Sequence, residues 1–230
     1  MAADSLTLAQ ILSRIENLTQ SGSVNFGHWT TSRKTDLANE AQLEVFRNIV
    51  RLFEEIHFCE VEEVTPANNT VSLDALPRRH YATRAFQKQS GSNWINVRLL
   101  SQQDAQTLRQ RNEETWYEIG KTLRSDSVSV YTGTYRIIYT FYPKTLVNDS
   151  DRTEVDPEYA DMIPLFAAAQ ACLQAKANDS YQTLMLEYTR RLTDMQRSAQ
   201  NRNLARTRRI VDRLGYRPAG KVFLFDNRVP

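Results

Sequence analysis

Residues 139–176 read YTFYPKTLVNDSDRTEVDPEYADMIPLFAAAQACLQAK (Tyr139–Lys176). An aromatic strand runs out at Tyr142-Pro143, a polar, Asp-rich loop follows, and Asp156-Pro157 opens a long alanine-rich helix. Asp156 is placed to cap that helix, Pro157 suits its first position and Glu158 its first turn. Met162, Phe166, Ala169 and Leu173 then fall on one face. Pro164 predicts a kink, because proline removes one backbone hydrogen bond. Asn178-Asp179 marks a turn, and Tyr181, Leu184, Tyr188, Leu192 and Met195 form the stripe of a closing helix. A turn this short predicts an antiparallel helical pair.

Upstream, Leu8, Ile11, Leu12, Ile15 and Leu18 repeat at helical spacing, which predicts a helix over 5–20 capped by Asp4 or Ser5. Thr35 or Asp36 starts a second helix reaching about Phe58, with Ala38, Ala41, Val45, Ile49, Leu52 and Ile56 in one stripe, widened by Phe46 and Phe53. From Cys59 to Tyr142 the pattern turns to strands: Val61–Thr65, Thr70–Leu73, Tyr81–Gln87, Trp94–Leu100, Thr115–Ile119, Ser127–Tyr131 and Thr134–Phe141. Pro66-Ala67-Asn68-Asn69 and Thr132-Gly133 supply turns, and Gln102–Arg111 reads as a short helix or turn. The fold class is therefore expected to be α+β but mainly α: an antiparallel bundle of about four helices with a β-rich insert and an extended C-terminal tail. Its divisions are 1–58 for the N-terminal helices, 59–143 for the insert, 144–200 for the helical pair and 201–230 for the tail.

Composition narrows the function classes. The chain has 230 residues and 41% hydrophobic content, enough for a substantial core. No apolar run reaches the roughly 20 residues of a membrane span, and the N-terminus lacks the cationic and apolar regions of a secretory signal. Cys59 and Cys172 cannot build a disulfide framework and read as thiols in a reducing compartment. Residues 186–221 carry ten Lys/Arg against three Asp/Glu, a basic arm on a mildly acidic body. Within it, Arg202, Arg206, Arg208, Arg209 and Arg213 are candidate charge contacts. Tyr216, Phe223, Leu224 and Phe225 are candidate anchors, the last three in a terminal KVFLFDNRVP that invites pairing with a sheet edge.

Catalytic and metal signatures are missing from the sequence. His57 and Cys59 have no second ligand pair for zinc. The run Asp149, Asp151, Glu154, Asp156 and Glu158 lacks the glycine and terminal glutamate of a calcium loop, and reads as loop solvation and helix capping. The scattered glycines make no phosphate loop, and nothing resembles a nucleophile elbow. An enzyme, a cofactor and a metal are accordingly not expected. The arginines have few aromatics among them, so any DNA contact is phosphate-based and sequence-blind.

The order helix, linker, long helix, β-rich segment, helical pair and tail resembles the head-to-tail adaptor (connector, or head-completion) proteins of tailed bacteriophages. The resemblance rests on VSLDALP (Val71–Pro77), the strand Tyr135–Pro143, the loop Asn148–Asp151 leading to Asp156-Pro157-Glu158-Tyr159, and FAAAQA (Phe166–Ala171) followed by the Tyr181–Met195 helix. It covers about residues 6–200; Pro164 and the tail depart from it. The resemblance implies a virion protein forming a ring of about twelve copies beneath the portal, extending the DNA channel, with head-to-tail contacts between copies. Its implied partners are the portal protein, neighbouring copies in a dodecameric ring, a downstream tail or nozzle protein, and genomic DNA passing without sequence specificity. No membrane is implied, and assembly is placed in the bacterial host cytoplasm. The alternative from another class is a DNA-binding accessory protein acting through its arginine-rich C-terminal segment.

Overall fold

The computed structural model describes residues 5–20, 26, 29–53, 58–100, 114–125 and 131–213, with the side chains of 202–213 outside that description. Four long helices are joined to one seven-stranded mixed sheet. The helices are α1 (Leu8–Gln20), α2 (Thr31–Leu52), α4 (Met162–Gln174) and α5 (Asn178–Arg213), with a single turn α3 (Pro157–Ala160) before α4. The strands are β1 (Cys59–Val64), β2 (Thr70–Ser72), β3 (His80–Ser90), β4 (Asn93–Leu100), β5 (Thr115–Ile119), β6 (Thr122–Arg124) and β7 (Tyr135–Phe141). They lie in the order β1-β7-β3-β4-β5-β6-β2, antiparallel except for the parallel pair β4–β5.

The expected mainly helical bundle with a β insert is overturned. The strands form one continuous sheet curled as a half-barrel, with a core of its own built from Val71, Leu73, Leu76, Phe86, Trp116, Leu123, Tyr135, Ile137 and Tyr139. The reason is long-range pairing. β1, which directly follows the second helix, pairs with β7, the last strand, from Cys59↔Thr140 to Val64↔Tyr135. β2 pairs instead with β6, a strand the sequence reading missed. The expected strand pair across Pro66–Asn69 is thus split between the two ends of the sheet. That turn closes through an Ala67↔Thr70 bridge, with Asn68 and Asn69 at φ 49° and 57°, a left-handed conformation that asparagine tolerates. The expected segments Gln102–Arg111 and, except for Tyr131, Ser127–Tyr131 lie outside the described residues.

The helical layer is organised around α4. Its Met162, Ile163, Pro164, Leu165, Ala167, Ala168, Ala169, Ala171 and Cys172 are all buried, and a helix apolar all round needs neighbours all round. These are α1, α2 and α5. Pro164 does not kink a continuous helix. The helix is interrupted at Asp161, and Pro164 falls in the first turn of α4, where no backbone N–H needs an intrahelical acceptor. Asp156 caps α3 as expected, accepting the Glu158 N–H at 3.0 Å.

The caps of α1 and α2 differ from expectation. Thr7 and Gln10 cap α1 reciprocally: the Thr7 N–H donates to Gln10 Oε1 at 3.0 Å, and the Gln10 N–H to Thr7 Oγ1 at 3.3 Å. The intervening Leu8 and Ala9 N–H groups donate to the carbonyls of Asp151 and Asp149. All four orphan donors of the helix start are therefore satisfied, two of them by the Asp-rich loop. α2 begins at Thr31 with Thr30 accepting the Arg33 N–H, earlier than the expected Thr35 or Asp36. α4 ends in a Schellman cap: Ala177 donates to the Cys172 carbonyl and Lys176 to that of Leu173. Lys176 stands at φ 59°, where glycine is usual.

The two layers meet through aromatic rings. Phe46 of α2 is fully buried and lies 4.9 Å from Phe58, 5.2 Å from Tyr81 and 5.7 Å from Tyr142. Beside it, Asn39 donates to the Leu146 carbonyl (2.9 Å) and accepts its N–H (2.8 Å), while Gln42 donates to the Lys144 carbonyl (2.9 Å). These bonds fasten the chain leaving β7 along α2.

Phe46→Ala is expected to cost about 3–5 kcal/mol in urea denaturation, since it empties the joint between layers. Lys176→Gly is expected to stabilise by about 0.5–1 kcal/mol in the same assay, by removing the left-handed strain.

Candidate functional site

Among the described residues no group of three or more His, Cys, Asp or Glu could hold a metal ion, and no helix is long and apolar enough to cross a membrane. The acidic loop is occupied with its own backbone and its neighbours. Asp151 accepts the Val147 and Asn148 N–H groups, each at 2.8 Å, and these bonds hold its carboxyl below the usual range. Glu154 takes both oxygens to Arg78 (2.7 and 2.6 Å) and accepts the Lys144 N–H at 2.8 Å. Arg78 also lies 4.1 Å over the Phe141 ring. This pair ties the approach to β3 to the loop that leads into α3. Cys59 lies 3.8 Å from the Thr140 hydroxyl, and His57 lies outside the described residues.

A second polar cluster sits inside the half-barrel. Glu114 accepts from Tyr135 Oη, from Trp116 Nε1 (3.2 Å) and from Lys88 Nζ (2.8 Å). Phe86 stacks on Tyr135 at 5.1 Å, and Trp116 meets Phe86 edge-on at 5.1 Å and Tyr135 at a tilt at 5.6 Å. Burial works to raise the Glu114 carboxyl, but the three donors and the Lys88 charge outweigh it and the net shift is downward. Tyr135 is pushed up by burial and by the Glu114 charge. Every member is satisfied within the protein, so the cluster specifies the packing of β3, β5 and β7.

The remaining candidate surfaces are a sheet edge and an arm. In β1, Glu60, Glu62 and Val64 pair with Tyr139, Ile137 and Tyr135 of β7, so they share the face that is fully buried in β7. Glu60 accepts the Tyr139 hydroxyl at 3.1 Å; burial, joined by that carboxylate, pushes this phenol up to about 12. On the opposite face Val61 is 53% exposed. Glu60, Glu62 and Glu63 form no ion pair among the described residues. A groove of about 470 Å³ runs between the two sheet ends, lined by Glu62, Glu63 and Val64 on one side and Thr70, Val71 and Ser72 on the other. The acidic edge was not singled out from the sequence. Its signal, carboxylates at alternate positions of CEVEEV, becomes legible only once β7 is known as the partner strand.

The arm is α5. Its last buried residues among those described are Met195 and Ala199, yet the helix continues to Arg213. Arg202, Arg206, Arg208, Arg209 and Arg213 all lie on it, their side chains outside the described set. Tyr216, Phe223, Leu224 and Phe225 lie outside the described residues altogether. The structure therefore brings none of the sequence-predicted site residues into a described contact.

Residues 6–211 match the family model described as SU10 adaptor protein, and the chain belongs to that family. It is by that membership a phage adaptor-type structural protein. The matched span takes in the helical layer, the sheet and nearly all of α5. No curated protein matches the chain significantly.

Glu114 yields a pH dependence. Its folded-state value lies below the ordinary 4.5, so its stabilising contribution is complete above that value and is lost as the pH falls through the depressed one. Thermal unfolding of Glu114→Gln between pH 7 and pH 3 is expected to show a lower Tm at neutral pH and a shallower acid decline than the unaltered protein.

Proposed function

We propose that this member of the SU10 adaptor protein family is a structural virion protein that joins the DNA-filled head to the tail. About twelve copies form a ring beneath the portal, each using one face against a different face of its neighbour. The ring extends the DNA channel and offers its far surface to a tail or nozzle protein. The family match across residues 6–211 carries this reading. It is supported by an arm, α5, of 36 residues, roughly 54 Å long at 1.5 Å per residue, which continues past its last described core contact. In this reading Phe223, Leu224, Phe225 and Tyr216 anchor the chain on the portal or a neighbour, and Arg202, Arg206, Arg208, Arg209 and Arg213 make charge contacts. The catalytic chemistry of an enzyme has no part in it.

Native mass spectrometry of the protein, alone and mixed with portal rings, tests the reading. A stoichiometric ring on the portal is the expected outcome; a chain that ignores the portal overturns it. Removal of residues 215–230 is expected to abolish portal binding while leaving the circular dichroism spectrum unchanged.

The accessory DNA-binding reading draws on one observation. Helix α5 persists to Arg213, so positions 202, 206, 209 and 213 follow at three- and four-residue steps on one face of a helix. That reading requires duplex affinity that collapses with salt and disappears when these arginines are replaced.

A further inference from the structure

We propose that the outer edge of β1 accepts the C-terminal segment 221–226 of a second copy of this chain as an added strand. The proposal rests on the assembly reading above and names the surface that receives the tail.

Three observations point there. First, β1 has one strand neighbour among the described residues: β7 pairs with it along its whole length, and no described strand pairs with its other side. An unpaired edge is a template for another extended chain. Second, Glu60, Glu62 and Glu63 stand on this strand without a cation among the described residues, beside the exposed Val61. Burying the edge under a neutral or acidic strand leaves three carboxylates uncompensated; a strand with basic flanks pairs them. Third, the chain itself contains a sequence of that kind. Lys221-Val222-Phe223-Leu224-Phe225-Asp226 is strongly β-forming and is flanked by Arg217 and Arg228.

A second copy is the natural donor. α5 runs through residues 200–213 beyond Ala199, its last buried residue among those described. That stretch spans about 21 Å at 1.5 Å per residue. The exchange is heterologous, tail of one copy to sheet of the next, which is the contact type that closes rings.

A disulfide between full-length chains tests this without any portal. Both carry Cys59→Ser to remove the neighbouring thiol; Cys172 is buried and stays. One population carries Val61→Cys and the other Leu224→Cys or Phe225→Cys, which present opposite faces of an added strand, so one of the two meets position 61 in either register. After oxidation, a linked heterodimer is expected at a yield at least about ten-fold above a Val147→Cys control, since directly paired strand positions lie within disulfide reach. Val147 is 68% exposed and belongs to the loop after β7, its N–H bonded to Asp151. Adding Glu62→Lys and Glu63→Lys to the acceptor is expected to lower that yield about five-fold through like-charge repulsion.

Equal yields at positions 61 and 147, no link at either, or, in a chain given Val61→Cys together with Leu224→Cys or Phe225→Cys, a link only within that chain, each overturn the proposal. In the second case the carboxylates only guard the edge against pairing, as inward-facing charges on edge strands do. A ring on the portal without the disulfide defeats this proposal and leaves the adaptor reading standing. A disulfide in a chain that ignores the portal does the reverse.

Discussion

The ring of Phe46 is the constraint on which both layers depend. The helices and the sheet keep separate hydrophobic cores, and the side chains joining them gather at one place. Phe46 belongs to α2 and meets Phe58 at the entry to the sheet, Tyr81 at the start of β3 and Tyr142 at the exit from β7. Phe58 stands at φ 60°, an uncommon conformation for a bulky residue. Its ring is held between those of Phe46 and Phe141, so the packing of the joint fixes the strained turn. The Asn39 and Gln42 bonds and the Arg78–Glu154 pair then lock the same region with polar geometry. Two lobes fastened this way hold a fixed orientation of helix to sheet.

Much of this was legible in the sequence, for identifiable reasons. The helices α1, α2 and α4 and the Asp156-Pro157 start announced themselves because their signals are local: stripes at helical spacing and a cap beside a proline. Strands β3, β4, β5 and β7 were found close to their observed positions. What local signals cannot carry is pairing. Nothing in Cys59–Val64 indicates that its partner is Tyr135–Phe141, so the sheet dissolved into an insert and the fold was read as mainly helical. β6 was missed, whereas the equally short β2 was found beside the turn signal of Pro66–Asn69. The caps of α1 and α2 were misplaced because several Ser, Thr and Asp residues compete near each start, and only geometry selects Thr7 and Thr30.

The candidate site divides in the same way. The basic stretch and the terminal aromatic segment are features of the sequence alone. The acidic edge was not, because an alternation of glutamates with valine looks like an ordinary solvated strand until Tyr139, Ile137 and Tyr135 are found beside it, fully buried. Pro164 offers a corrective to reading breakers by rule. A proline deep in a run of helix formers suggests a kink, yet one interruption of the helix at Asp161 turns the same residue into part of a helix start.

The placement of β1 at one end of the sheet also has a bearing on how the protein is made. Its partner strand is encoded about seventy residues later, and β2, only five residues downstream, goes to the far end of the sheet. At about 5–20 residues per second of synthesis, β1 waits on the order of 4–15 s before β7 emerges. During that interval both of its sides are open, on a ribosome whose neighbours on the same message carry the same strand. Three carboxylates in six residues make two such nascent strands repel each other. Like charges that face one another across two copies of β1 disfavour their pairing in that interval, whereas β7 brings the tyrosines and the isoleucine that cover Glu60, Glu62 and Val64.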